Sequence, residues 1–160
     1  MITIIAAIGK NRELGGSNEL LWRLPDDFKW FVQKTKNKAV IMGRNTMMSL
    51  GKPLKNRLNI VLTRSDKPVL EGFVKSNNWN EALNLSSEFS EEIMIIGGAQ
   101  IYSQAIEFAD QMILTLVDGE FDSADVFFPD WNSEWKEIYR EFHAKDESHF
   151  FSFNFVIYNK

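Results

Sequence analysis

The chain has no cysteine. Disulfides, thiol nucleophiles and cysteine-bound metals are excluded, and the composition suits a reducing, cytoplasmic setting. Histidine is nearly absent too. His143 and His149 lie near the end of the chain without the clustered partners of a metal site, so both are expected to be structural or surface residues. No basic block stands out and the formal net charge is -4, which argues against a nucleic-acid footprint. No apolar run approaches the ~20 residues needed to cross a bilayer. Met1 to Ile8 lacks the positive flank and cleavage site of a signal peptide and reads as a strand. A Walker phosphate loop, a G-x-G-x-x-G fingerprint and a Ser-His-Asp triad find no support. There is no internal repeat, low-complexity stretch or interdomain linker. The 160 residues are therefore expected to form one domain, and a complete core of its own suits a monomer.

What is present is an ordinary folded composition, 44% hydrophobic and 25% charged, with 13 Phe and 5 Trp to fill a core. Ile2 to Ile8 is a nearly continuous apolar run, the pattern of a strand buried on both faces. Gly9 to Leu21 is polar, carries Gly15-Gly16, and reads as a mobile loop. Pro25 opens a helix to about Thr35, with Asp26 and Asp27 in the turn where the helix dipole favours negative charge. Strands follow at Ala39 to Met42, Leu58 to Thr63, Phe73 to Lys75, Ile93 to Ile96 and Met112 to Val117. Helices are expected at Gly43 to Leu50, Trp79 to Leu85 and Ala99 to Phe108. Trp135 to His143 and Phe150 to Tyr158 read as an antiparallel hairpin. The alternation predicts an α/β fold: a mixed, mostly parallel central sheet with flanking helices and a C-terminal antiparallel hairpin.

Three features suggest chemistry. In the first helix, Leu24, Phe28, Phe31 and Thr35 share one stripe, with Asp27 at its edge and Asp26 nearly opposite. Spacing alone leaves Asp27 either a solvated first-turn acid or a carboxylate at a pocket wall. Ile93 to Gly98 is a buried strand ending in two glycines, which is either a tight turn or a place where backbone N–H groups approach a phosphate. Gly43-Arg44-Asn45-Thr46 and Thr63-Arg64-Ser65 place arginines and hydroxyls at two more strand ends, where open α/β sheets bind ligands. A cofactor with several phosphates would explain that set. Arg57 is either an exposed loop residue or a carboxylate clamp.

In order and spacing, a longer series resembles the dihydrofolate reductase family over nearly the whole chain. It comprises Ile4-Ile5-Ala6-Ala7, Trp22-Arg23-Leu24-Pro25-Asp26-Asp27-Phe28-Lys29-Trp30-Phe31 and Val40-Ile41-Met42-Gly43-Arg44-Asn45-Thr46. It continues with Gly51-Lys52-Pro53-Leu54, Arg57-Leu58-Asn59, Ile95-Ile96-Gly97-Gly98-Ala99-Gln100-Ile101-Tyr102, Leu114-Thr115 and Phe128-Pro129. The resemblance implies reduction of 7,8-dihydrofolate to 5,6,7,8-tetrahydrofolate with NADPH, and binding of antifolate inhibitors. Asp27 would grip the amino-pyrimidine edge of the pterin, Thr115 would orient it, and Trp22 would hold a water nearby. Ile5, Ala7, Phe28, Phe31, Leu50, Leu54, Ile96 and Tyr102 would line the substrate pocket, with Arg57 on the glutamate carboxylate. The cofactor would meet Ala7, Ile8, Leu14, Gly15, Asn18 and Leu20. It would also meet Gly43, Arg44, Asn45, Thr46, Leu62, Thr63, Arg64 and Lys75, with Thr63 and Arg64 on the 2′-phosphate. Ile96, Gly97, Gly98, Ala99, Gln100, Ile101, Tyr102 and Gln104 would complete the set, and the Gly97-Gly98 peptide would be cis.

The loop from Gly9 to Leu21 would act as a lid. Leu21 stands where the family often has proline, Met47 where it often has an aromatic, Asn45 where it often has a basic or polar residue, and Val126 where threonine often follows the acid. Two other readings share part of the pattern. A pyrimidine reductase on the same fold would not need Trp22, Asp27 and Arg57 together. A binding protein without turnover would have no use for both an intact Asp27 and an intact cofactor set.

Overall fold

The computed structural model describes residues 1–15 and 21–160. Its main sheet has eight strands in the order β5-β4-β3-β6-β1-β7-β10-β9. In chain order these are β1 (Ile2–Ile8), β3 (Ala39–Met42), β4 (Leu58–Leu62), β5 (Val74–Ser76), β6 (Ile93–Gly97), β7 (Gln111–Val117), β9 (Lys136–His143) and β10 (Phe153–Asn159). Pairings from β5 across to β7 are parallel, while β10 runs antiparallel to both β7 and β9. The mostly parallel sheet with an antiparallel C-terminal hairpin is the architecture expected from the sequence.

Strand alternation divides the core between the two faces. Ile4, Ala6 and Ile8 of β1 join Ile41, Ile60, Ile95, Met112 and Leu114 on one face. There they meet Ala82 of α3 (Trp79–Phe89) and Ile101 and Ala105 of α4 (Ala99–Ala105). Ile5 turns the other way and packs with Val40, Met42, Met94 and Ile113. Phe31 of α1 (Pro25–Thr35) and Leu50 of α2 (Arg44–Leu50) cover that side.

Local chemistry sets the helix ends. Pro25 opens α1 with its ring-fixed φ, and Asp26 and Asp27 follow in the first turn. The residue before the helix, Leu24, offers no side-chain cap. His149 supplies one instead: the Asp26 backbone N–H donates to its Nε2 at 3.1 Å, while its Nδ1 meets Asp146 at 2.8 Å. Trp30 anchors the same helix by stacking on Phe155 of β10 at 4.3 Å between ring centres. Gly51 ends α2 at φ 73°, a left-handed value that glycine adopts without a Cβ penalty. Asn78 caps α3 by accepting the Glu81 N–H at 2.8 Å.

Three expectations need correction. The Gly9 to Leu21 stretch is not loop throughout: β2 (Glu13–Gly15) pairs antiparallel with β8 (Val126–Phe127). Its residues 16–20 lie outside the described residues, so the expectations for Asn18 and Leu20 and for a lid fall there. The helix from Trp79 continues to Phe89, because Ala82 and Ser86 both pack inward. The helix from Ala99 stops at Ala105, and the apolar residues after it, Ile106 to Phe108, form a turn. Along the α1 stripe, Phe28 is 52% exposed while Leu24 and Thr35 are 1% and 0%.

Candidate active site

β1 and β7 lie side by side in register, with Ala7 opposite Thr115. α1 crosses that face and brings Asp27 to Thr115, whose hydroxyl donates to Asp27 Oδ1 at 2.6 Å. Burial raises the Asp27 pKa above its ordinary value, and the Thr115 hydrogen bond opposes the rise by favouring the ionised form. Tyr102, buried, donates its hydroxyl to the Ile5 carbonyl at 2.7 Å. Its phenol pKa is raised by burial and further by the charge of Asp27, which places the two groups in one electrostatic environment.

The wall beside this carboxylate is apolar. Ile5 is buried, and Phe31, Leu50, Leu54 and Ile96 pack on the same cluster, so five of the expected pocket residues come together. Phe28, on the same helix, presents an open ring. At the far end of α1, Arg57 Nε donates to Thr35 Oγ1 at 3.0 Å and Nη1 to the Lys55 carbonyl at 3.0 Å. No carboxylate forms an ion pair with it among the described residues. Partial burial lowers the Arg57 pKa without threatening its charge. Eight residues of helix separate Asp27 from Thr35, about 12 Å at 1.5 Å per residue. The site therefore offers a carboxylate near the start of α1, an apolar wall and, at Thr35 near the end of α1, a guanidinium, groups whose chemistry suits a flat heteroaromatic head and an anionic tail.

A cleft opens at the C-terminal ends of β3, β4 and β6. Its volume is about 730 Å³, and Gly43, Arg44, Asn45, Leu62, Thr63, Arg64, Gly98, Ala99, Gln100, Ile101 and Gln104 line it. Among the described residues, two arginines and no carboxylate line this space. Arg44 makes one hydrogen bond, to the Pro68 carbonyl at 3.2 Å, and neither arginine has an ion-pair partner among the described residues. Such a donor set and volume fit a polyanionic cofactor. Ile96 belongs to the apolar wall, and Gly98, two residues on in the chain, lines the cationic cleft. The Gly97-Gly98 peptide between them is cis.

Comparison with known proteins agrees with this geometry. The family model for dihydrofolate reductase matches residues 1–160. The chain belongs to the dihydrofolate reductase family. It is 38% identical to the dihydrofolate reductase of Buchnera aphidicola subsp. Acyrthosiphon pisum (strain APS), over 99% of each chain. It is 37% identical to that of Bacillus subtilis (strain 168), over 100% of this chain and 95% of the relative. The type 3 dihydrofolate reductase of Salmonella typhimurium is 38% identical, over 98% and 96%. In structure, the Enterococcus faecalis dihydrofolate reductase complexed with NADP(H) and RAB-propyl superposes with a TM-score of 0.92. It is 27% identical, over 99% of this chain and 95% of that one.

Within this family fold, some expected cofactor residues lie away from the cleft walls. Ile8 is 1% exposed and, by strand alternation, points to the opposite face of the sheet from Ile5 and Ala7. It lines a separate cavity with Leu116 and Asn154, so only its backbone is available on the Ala7 side. The Lys75 ammonium donates to the Lys67 carbonyl at 3.3 Å instead of reaching the cleft. Leu14 packs against the core, and Gly15 sits in β2. Thr46, Ile96, Gly97, Tyr102 and Ala7 do not line the cleft. Asn77, Asn78, Trp79 and Val126 line the cleft and were not expected there. The rule that ligands sit beyond the C-terminal ends of strands, applied after Ser76 as it was after Met42 and Leu62, would have found the first three. Trp22 is half-buried and leans on Phe121 at 5.0 Å between ring centres.

Proposed function

We propose that this member of the family reduces 7,8-dihydrofolate to 5,6,7,8-tetrahydrofolate with NADPH, in the junction between the Asp27 pocket and the arginine-lined cleft. One observation carries the reading: a half-buried carboxylate is held by the Thr115 hydroxyl at 2.6 Å near the start of α1, while the Arg57 guanidinium, without an ion-pair partner among the described residues, is held at Thr35 near its end. When bound, NADPH supplies the hydride that goes to the pterin carbon, and the adjacent ring nitrogen takes up a proton.

The protein supplies alignment and electrostatics. Asp27 accepts two hydrogen bonds from the amino-pyrimidine edge, a donor pair that matches its two oxygens. Its negative charge favours the protonated ring, and water carries the proton, with the Trp22 indole N–H as a donor to it. Thr115 keeps the carboxylate ionised and aimed. Ile5, Phe28, Phe31, Leu50, Leu54 and Ile96 exclude water from the ring, and Arg57 holds the glutamate carboxylate. Arg44, Asn45, Thr46 and the Gly97 to Ile101 segment hold the cofactor phosphates, with Thr63 and Arg64 on the 2′-phosphate. Ala7 and Tyr102 border the nicotinamide.

A cytoplasmic monomer belongs to the same proposal, on the absence of cysteine and a length that suffices for one core. No helix among the described residues is long and apolar enough to cross a membrane. The test is NADPH oxidation followed by absorbance with and without dihydrofolate. Oxidation that needs dihydrofolate and is blocked by an antifolate pterin analogue is expected. Tight NADPH binding without oxidation would contradict the reading.

A further inference from the structure

Glu13 is 2% exposed, yet no lysine or arginine pairs with it among the described residues. A carboxylate so placed persists only if donors meet both oxygens. They do: the Asn11 backbone N–H donates to Oε1 at 2.6 Å and the Phe121 N–H to Oε2 at 2.7 Å. One donor comes from its own segment and the other from the turn after β7, so the carboxylate ties the two together. Packing is tight around the tie. A Cβ on Gly9 would lie 2.6 Å from Oε1 and 2.9 Å from the Phe121 ring, so a larger residue there would have to displace the carboxylate or the ring.

The tie leads to the active site. Phe121, fixed by its N–H, leans its ring on Trp22 at 5.0 Å and meets Phe151 edge-on at 5.2 Å. Trp22 and Phe121 pack with Leu24, the residue that begins α1, and the Asp27 N–H donates to the Leu24 carbonyl at 3.0 Å. We propose that Glu13 is a positioning residue for the reductase reaction: its carboxylate fixes Phe121, and Phe121 holds Trp22 and the start of α1 in working geometry. The consequence for turnover rests on the function proposed above; the physical link does not.

Glu13→Gln offers one acceptor oxygen in place of two and turns an NH2 group toward a backbone N–H. In the ligand-free protein, amide exchange at Phe121 should quicken about tenfold, the loss of one hydrogen bond, and the Trp22 indole resonance should shift. In the loaded enzyme, single-turnover hydride transfer should fall about tenfold, because a small misplacement near the chemistry is enough. The dissociation constant for dihydrofolate should change less than about threefold, since Arg57 and the apolar wall lie outside the tie and a small displacement at Asp27 affects alignment more than affinity. A folded Glu13→Gln protein with unchanged Phe121 exchange, or with lower melting temperature and an unchanged hydride rate, would overturn the proposal.

Phe121→Leu guards against a variant that fails to fold. It keeps the N–H to Glu13, so Phe121 exchange should stay slow while the indole shift and rate loss recur. The double variant should lose no more than either single one, and additive losses would overturn the link. If the unmodified protein did not oxidise NADPH with dihydrofolate, the functional reading would fall, and the exchange and indole measurements would still support or overturn the tie.

Discussion

Replacing Thr115 by valine keeps the shape of a side chain that is 1% exposed and removes only the donor to Asp27 Oδ1 at 2.6 Å. A hydrogen bond to a charged, shielded group contributes about 1.5–3 kcal/mol. At 1.4 kcal/mol per factor of ten, its loss corresponds to about 10- to 100-fold in any step that needs Asp27 ionised and aimed. The sign follows from the two opposing influences on this carboxyl. Burial already raises its pKa, and Thr115 is what opposes that rise, so Thr115→Val should move the Asp27 titration further up. Carboxyl-carbon NMR of Asp27 in the ligand-free protein reads that midpoint, and kcat/KM for dihydrofolate reads the functional loss. Binding of NADPH should be unchanged, because Thr115 does not line the cationic cleft. A midpoint that stays or moves down, or an undiminished kcat/KM, would refute the assigned role.

Asp27→Asn should fold and bind NADPH but lose most turnover at neutral pH. It should also be more stable than the parent there. The folded-state pKa of Asp27 is raised above the ordinary 3.8, so the ionised group costs stability at pH values above that range. Melting curves at descending pH should show the advantage shrinking through the folded value and vanishing below the ordinary one. Arg64→Ala should weaken NADPH about 10- to 100-fold by equilibrium titration and leave NADH nearly untouched, the loss of a charge-assisted contact to the 2′-phosphate; equal losses would contradict it. Arg57→Lys should raise KM for dihydrofolate through loss of the bidentate fork, and a pterin without the glutamate tail should bind both forms alike.

Much of this fold was legible because its strands are short apolar runs bounded by punctuation. Pro25, Gly51 and Gly97-Gly98 mark real boundaries, and Ala39 to Met42 and Arg44 to Leu50 fall where the pattern puts them. β2 and β8 were not legible, since a three-residue and a two-residue strand in polar sequence carry no period to read. The end of α4 was overestimated because Ile106 and Phe108 continue an apolar pattern that the chain uses for a turn. The site divides in the same way. Asp27 was ambiguous from spacing and gains meaning only through Thr115, which lies 88 residues away. The buried state of Glu13 was invisible, because its partner Phe121 is 108 residues distant and the donor is a backbone N–H. For Ile8 and Lys75 side-chain direction was not legible: the Ile8 side chain lies on the face away from Ala7, and the Lys75 ammonium meets the Lys67 carbonyl.

The most direct test of the central claim follows isotope from cofactor to product. NADPH carrying deuterium at the reactive nicotinamide position is mixed with dihydrofolate and the enzyme, and the tetrahydrofolate is weighed by mass spectrometry. Direct transfer in the Asp27 pocket predicts one deuterium per product molecule and a loss of product in Asp27→Asn. Product without deuterium, or undiminished product from Asp27→Asn, would contradict it.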